Sequence, residues 1–258
     1  MNNLEFPQQE NLLAQEAEIY EKLWRVNAYI DCYNCITKYN YLHMAGRQKE
    51  SLETYAMETA DVSNEIAMFG KYEGPEKVLE LYEQGHKEGV DMEEMNRGLF
   101  MEKLISTPVF EVAGDGKTVK SVWSITGHNL DLADDRETGE CAWVSMTPAT
   151  EFLYEKEKAW KIWHNQVFPS YVSAFDRCWT EAKPRGYGVY EDEMDDNVHS
   201  KPDENGYSVL EHANAGHSFF QEYRPGMVMQ YWPQPPAPYE SYAGTQSVLG
   251  SPPADADL

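Results

Sequence analysis

Positive charge is scarce in this chain. Lys and Arg number 21 against 44 Asp and Glu, giving a formal net charge of −23 at pH 7. There is no Lys/Arg-rich run, so a phosphate-bearing partner would be repelled at long range; nucleic acid and anionic membrane are excluded as expected partners. Long apolar runs are lacking too. No window approaches the roughly 18 apolar residues that cross a bilayer, and the first thirty residues show no basic segment followed by an apolar stretch. The expectation is a soluble, cytoplasmic protein. Cysteine is also sparse: Cys32, Cys35, Cys141 and Cys178 are too few in 258 residues for a disulfide scaffold. Finally, the chain has no Gly-x-Gly-x-x-Gly after a strand, no phosphate loop ending in Gly-Lys-Ser/Thr and no Gly-x-Ser-x-Gly elbow. Nucleotide, flavin and serine-hydrolase readings have no support, and no cofactor is expected.

Apolar residues make up 41% of the chain, with 7 Trp, 17 Tyr and 9 Phe, enough for a substantial core. From Glu10 to Met44 neither Pro nor Gly interrupts. Ile19, Leu23, Val26, Ile30 and Tyr33 recur there with the period of an apolar helical stripe, and Gly46 is placed to end the helix. On an adjoining stripe lie Tyr29, Cys32, Ile36, Tyr39 and His43, which stacks Tyr39 and His43 one turn apart. A shorter helix is expected over Gln48 to Met57, a strand over Ser63 to Gly70, and a third helix opening at Gly74-Pro75.

Strand-like runs then follow one another. Ser106-Thr107-Pro108-Val109-Phe110-Glu111-Val112 turns at Asp115-Gly116, returns through Trp123 and His128, continues through Trp143, and ends in Trp160-Lys161-Ile162-Trp163-His164. Alternation puts His128 with Val122, Ser124 and Thr126, opposite Val119, Trp123 and Ile125. It also puts Trp160, Ile162, His164, Gln166 and Phe168 on one inward face, with Lys161, Trp163 and Asn165 on the other. Beyond about Glu181 the pattern breaks up into Gly, Pro and acidic runs such as Glu191-Asp192-Glu193, then a Pro-rich stretch from Pro233 to Tyr239. The aromatic content of this tail is too high for a disordered segment. The expected organisation is a pocket domain over 1–182 and an extended tail over 183–258.

This order of helices and strands, with the Thr107-Pro108 pair, the Asp115-Gly116-Lys117 hairpin, Trp123 and the Trp160 to His164 run, resembles the SnoaL-like branch of the nuclear transport factor 2-like superfamily over residues 10 to 180. The resemblance implies an α+β cone, a strongly curved antiparallel sheet wrapped on about three N-terminal helices around an apolar pocket. Its relatives include dehydratases, isomerases and cyclases as well as members without chemistry. Tyr39 matches the pocket tyrosine of the dehydratases. Ser106 stands where they carry a His, and Asn40-Tyr41-Leu42-His43-Met44 lacks their helix Asp.

The expected function is cofactor-independent lyase or isomerase chemistry on a hydrophobic, oxygenated ring compound, with non-catalytic small-molecule binding or assembly as the alternative. Tyr39 would bind a carbonyl or developing enolate, His128 would be the base, and His164 or His43 would be the second proton carrier. Trp123 would form a stacking wall, with Tyr33, Ser106 and Asp31 completing the substrate-binding set. Cys32-Tyr33-Asn34-Cys35 falls inside a helix without further ligands, so its thiols are expected to be core groups and no metal site is expected. An aromatic sheet face needing cover suggests a homo-oligomer, dimer or trimer.

Overall fold

The computed structural model describes residues 9–66, 70–84, 100–132, 139–155, 159–175, 178, 200–202, 208–210, 213–215, 218, 223, 225–228 and 232–242. The acidic run at 191–196 lies outside them. Helix α1 (Gln9–Met44) is followed by α2 (Gln48–Leu52), β1 (Ser63–Ile66), β2 (Gly70–Glu73) and α3 (Pro75–Gln84). Four long strands complete the body: β3 (Phe100–Val112), β4 (Thr118–Leu132), β5 (Gly139–Tyr154) and β6 (Trp160–Ala174). A small hairpin, β7 (Ser200–Pro202) and β8 (Ser208–Leu210), forms its own two-stranded sheet.

The main sheet has six strands in the order β2-β1-β6-β5-β4-β3, antiparallel except where β1 runs parallel to β6. The fold is therefore α+β, with three helices preceding the long strands, as the resemblance implies. Local chemistry sets the boundaries. Gly46 ends α1 in the left-handed region at φ 68°, Gly116 does the same for the β3–β4 turn at φ 69°, and Pro75 opens α3, where its missing N–H is not needed. The expected single strand over Ser63 to Gly70 is instead split into β1 and β2, paired from Ser63↔Glu73 to Ile66↔Gly70. The second helix stops at Leu52, short of Met57, because the chain leaves helical hydrogen bonding to pair with β6: Ala56 donates to the Ile162 carbonyl at 2.8 Å and Ile162 to the Thr54 carbonyl at 2.8 Å.

The core lies between the helices and the inner face of the sheet. Ala28, Cys32, Ile36 and Tyr39 of α1 pack there with Val119, Trp123, Phe152, Trp160 and Ile162. This corrects the choice of helical stripe. The helix buries the Cys32/Ile36/Tyr39 side, while Ile19, Leu23, Val26 and Ile30 stay exposed. Both stripes are apolar, so periodicity alone does not choose between them. Cys32 is buried and Cys35 nearly so, and burial raises both thiols, Cys35 to about 12. The expectation of inert core thiols describes them correctly.

Three register irregularities decide which side chains face inward, at Ser106/Val109, Glu151/Phe152 and Ser145/Met146. At Ser106/Val109 a bulge with Thr107 at φ 48° interrupts the β3–β4 ladder. Between Glu151 and Phe152 the partners on β6 jump from His164 to Ile162, so Trp163 is the extra residue. Trp160 and Ile162 therefore face the helices, whereas His164, Gln166 and Phe168 face outward and Asn165 points in, the reverse of uninterrupted alternation.

The described tail residues lie along the outer face. Lys71 donates to the Ala215 carbonyl at 3.1 Å, Tyr223 to the Ser170 carbonyl at 2.7 Å, and Gly114 and Asp115 donate to the carbonyls of Tyr239 and Glu240 at 2.9 and 2.8 Å. The tail thus touches the sheet near β2, on β6 and at the β3–β4 turn.

Candidate functional site

The register lines up one polar row across the inner face, Ser121, Thr150, Asn165, Asn64 and Tyr72, one from each of β4, β5, β6, β1 and β2. All five are buried. A buried polar group away from water needs partners, and this row finds most of them internally. Thr150 Oγ1 donates to Asn165 Oδ1 at 2.9 Å, and Asn165 Nδ2 donates to Asn64 Oδ1 at 3.3 Å and to the Tyr55 hydroxyl at 3.2 Å. Asn64 Nδ2 donates to the Tyr82 hydroxyl at 2.9 Å.

Three phenols from the helical layer converge on this row. Tyr39 comes from α1, Tyr55 from the segment after α2, and Tyr82 from the last turn of α3. The Tyr82 oxygen lies 2.6 Å from the Tyr39 oxygen and 3.0 Å from the Tyr55 oxygen. Hydrogen counting then constrains the site. Three phenols carry three protons, and the two phenol–phenol bonds use two of them. Tyr82 also accepts from Asn64, so it cannot accept from both other phenols and must donate to one. The remaining O–H therefore belongs to Tyr39 or Tyr55, and because these two hydroxyls also interact with one another, the three phenols can close a ring of hydrogen bonds. Burial raises all three phenol pKa values, Tyr55 and Tyr82 well above normal, so the cluster stays neutral and donating.

Two buried groups on the inner side have no hydrogen-bond partner among the described residues: the Trp123 indole N–H and the Tyr72 hydroxyl. Beside the cluster, the His43 ring stacks on Tyr39 with centroids 5.8 Å apart and meets Tyr82 edge-on at 6.4 Å. His43 Nδ1 lies 2.9 Å from Gln48 Oε1. With that amide oxygen accepting, Nδ1 carries the proton and Nε2 is left as the basic nitrogen. Burial, reinforced by Lys103, holds the imidazole down at about 4, so it is neutral at physiological pH.

The other sequence-selected residues are not brought to this cluster. His128 is five positions from core-facing Trp123 in a regular part of the β4–β5 ladder, so it faces outward. There its ring packs on Trp143 at 4.4 Å, with Nδ1 3.3 Å from Glu102 Oε2. His164 is turned outward by the bulge at Trp163, with Nδ1 2.8 Å from Ser63 Oγ and Nε2 3.9 Å from Glu151 Oε2. Ser106 is exposed on the outer face, paired with Ser124 Oγ at 3.1 Å. Asp31 is on the exposed side of α1. Tyr33 packs edge-on against Phe110 at 6.2 Å, along the helix from the phenols. Of the eight, Tyr39, His43, Trp123 and Tyr33 lie on the inner side, Tyr39 and His43 at the phenol cluster itself.

Sequence reasoning did not select Tyr55, Tyr82, Asn64 or Asn165. One signal was readable: Tyr82 is four residues after Val78 in α3, on the face that packs on the sheet. Asn64 and Asn165 become partners only through the parallel β1–β6 pairing, which no local pattern announces. Among the described residues no group of three His, Cys, Asp or Glu side chains is placed to hold a metal ion, and no helix is long and apolar enough to cross a membrane.

Neither a family model nor a curated protein matches this sequence. Solved structures similar to the chain include LinA, at 13% identity over 61% of this chain and 96% of that one, with a TM-score of 0.46. An NTF2-like protein with a cystatin-like fold from Novosphingobium aromaticivorans is similar at 13% identity over 63% and 90%, with a TM-score of 0.40. ActVI-ORFA from Streptomyces coelicolor is similar at 10% identity over 55% and 97%, also with a TM-score of 0.40. The α+β fold itself is displayed directly by the strand order and helix placement.

Proposed function

We propose that the inner cluster binds a hydrophobic, oxygenated ring compound and performs cofactor-independent proton transfer on it, as a lyase or isomerase. One observation carries this reading: beside three neutral phenols, an apolar layer holds two buried hydrogen-bond donors, the Trp123 N–H and the Tyr72 hydroxyl, with no acceptor among the described residues. An uncharged, acceptor-bearing ligand satisfies them without bringing a charge into the core.

In the proposed reaction Tyr39 donates to the substrate carbonyl, backed by Tyr82 and Tyr55, whose aligned hydroxyls polarise one another. His43 Nε2 removes a proton from the carbon next to that carbonyl. In elimination the C–H electron pair becomes the new C=C bond, the C–O bond at the adjacent carbon breaks, and the departing oxygen takes the imidazolium proton to leave as water. In isomerisation the same proton returns at another carbon. An imidazole held near 4 is a weak base, but negative charge developing on the oxygen bound to Tyr39 raises its proton affinity as the reaction proceeds. His43 replaces His128 as the base because it alone of the two shares the inner side with Tyr39.

A second reading is favoured by a specific feature. The named inner cluster contains no carboxylate, and its phenols are already bonded to one another, an arrangement that also suits a binding protein without chemistry. A thermal-shift screen with steroids, polyketide-like quinones and plant phenolics, followed by mass spectrometry of each hit after incubation, separates the two. Loss of water or isomerisation that disappears in both Tyr39→Phe and His43→Gln supports the enzyme. A hit that binds unchanged supports the carrier, and no ligand from these classes shifting the melting temperature overturns the assignment of the site.

A further inference from the structure

We propose that the outward ridge of α1 is a helix-pairing surface for a second copy of this chain. Leu12, Ile19, Leu23, Val26 and Ile30 are 49%, 64%, 52%, 54% and 47% exposed on this ridge. Ile19, Leu23, Val26 and Ile30 are spaced four, three and four residues apart, the 3.5-residue period that keeps a seam against another helix along its length. Val26 and Ile30 each lie two positions from buried Ala28, roughly 200° round the helix at 3.6 residues per turn. The ridge thus points away from the described core of its own domain.

The N-terminal part of α1 is exposed to solvent. Residues 12–24 are exposed, and Trp24 Nε1 donates to the Gly116 carbonyl at 3.1 Å and Arg25 to the Val112 carbonyl at 2.9 Å where the helix meets the sheet. An exposed helical segment of this length is marginal in water by itself and needs a packed face.

Charge placement favours a copy of the same chain as occupant. Despite the net charge of −23, the positions flanking the seam are Leu13, Gln15, Tyr20, Lys22, Asn27 and Tyr29, with a single charge among them. Two copies can therefore pair without a ladder of like charges. Glu18 and Glu21 lie off the seam, where they stay hydrated and oppose an anionic membrane surface. Glu16 is the exception: it occupies a seam position three residues before Ile19, where pairing would desolvate it.

Sedimentation velocity of the full chain over a wide concentration range tests the proposal. The expected result is a reversible dimer that Leu23→Glu/Ile30→Glu weakens by about 100-fold, since two buried carboxylates per chain cost a few kcal/mol. These side chains are exposed in the single chain, so the variant should keep the wild-type melting behaviour of the sheet domain. Glu16→Leu should tighten the dimer by about tenfold, a gain that a merely damaged fold would not produce. A wild type that stays monomeric throughout, a double variant that dimerises as tightly as wild type, or a monomer that binds anionic phosphatidylserine vesicles through the ridge would each overturn it.

Discussion

The same strands carry two polar rows, one residue apart in sequence and on opposite faces of the sheet, and they are built by opposite rules. The inner row, Ser121, Thr150, Asn165, Asn64 and Tyr72, is neutral and roofed by the phenols of Tyr39, Tyr55 and Tyr82. The outer row, Glu111, Lys120, Glu151, His164, Ser63 and Glu73, is charged and partly covered by the tail. There the Lys120 ammonium sits over the Tyr239 ring at 4.8 Å and the Tyr242 ring at 5.2 Å, and the Tyr242 hydroxyl donates to Glu151 Oε2 at 3.1 Å. A neutral network can be enclosed completely, because its donors and acceptors answer one another and no ion is taken out of water. A charged row stays near solvent or needs opposite charges and aromatic faces close by. The inner face is therefore the one able to retain uncommitted donors for a ligand.

The largest effect expected from breaking this contrast is at Asn165. Its amide joins Thr150, Asn64 and Tyr55. Asn165→Leu should cost about 3 kcal/mol in a denaturant melt, because it strands several buried groups at once. Ser218→Ala, at the contact between tail and sheet, should cost less. Its hydroxyl donates to Glu65 Oε2 at 2.9 Å, but the backbone N–H of Ser218 still reaches the same carboxylate, so a loss of about 1 kcal/mol is expected. Equal losses in the two melts would show that the neutral network is no more cooperative than the tail contact.

Acid should act on both faces. Burial holds His43 and His164 down at about 4 from an ordinary 6.5. Between those values the unfolded chain binds protons at these sites and the folded chain does not. Their contribution is thus fully present above about pH 6.5 and is lost as pH falls towards 4. Melting temperatures measured across that window should decline, and His43→Gln and His164→Gln should each flatten the decline. If both variants retained the wild-type slope, neither imidazole would be buried in its neutral form.

Much of the fold was legible in the sequence because its signals are local. Gly46, the Gly74-Pro75 pair and Asp115-Gly116 each mark an element boundary through their own backbone preferences. The site was less legible because it depends on register. The extra residue at Trp163 inverts the facing of the stretch that follows it on β6, moving His164 out and Asn165 in, until a second shift opposite Ser145 and Met146 returns Val172 to the core. The strand pattern through Trp160 and Ile162 gives no warning of it. The helical stripes of α1 failed differently, since two apolar faces compete and only the tertiary packing decides between them. Tyr39 and His43 were readable because their relation is a single helical turn, whereas Tyr55 and Tyr82 join them only across the layer of helices.

His128 supplies the smallest expected effect and a sharp contrast with the inner face. It lies half-exposed on the outer side, where its ring packs on Trp143 and its Nδ1 is 3.3 Å from the Glu102 carboxylate. An exposed pair of this kind contributes roughly 0–1 kcal/mol. His128→Ala should shift the denaturation midpoint only slightly and leave ligand binding and any turnover unchanged, measured beside Tyr39→Phe under the same conditions. A loss of activity in His128→Ala as large as that in Tyr39→Phe, with stability intact, would require the outer face to take part in the chemistry, and the distinction between a neutral catalytic face and a charged covered face would fail.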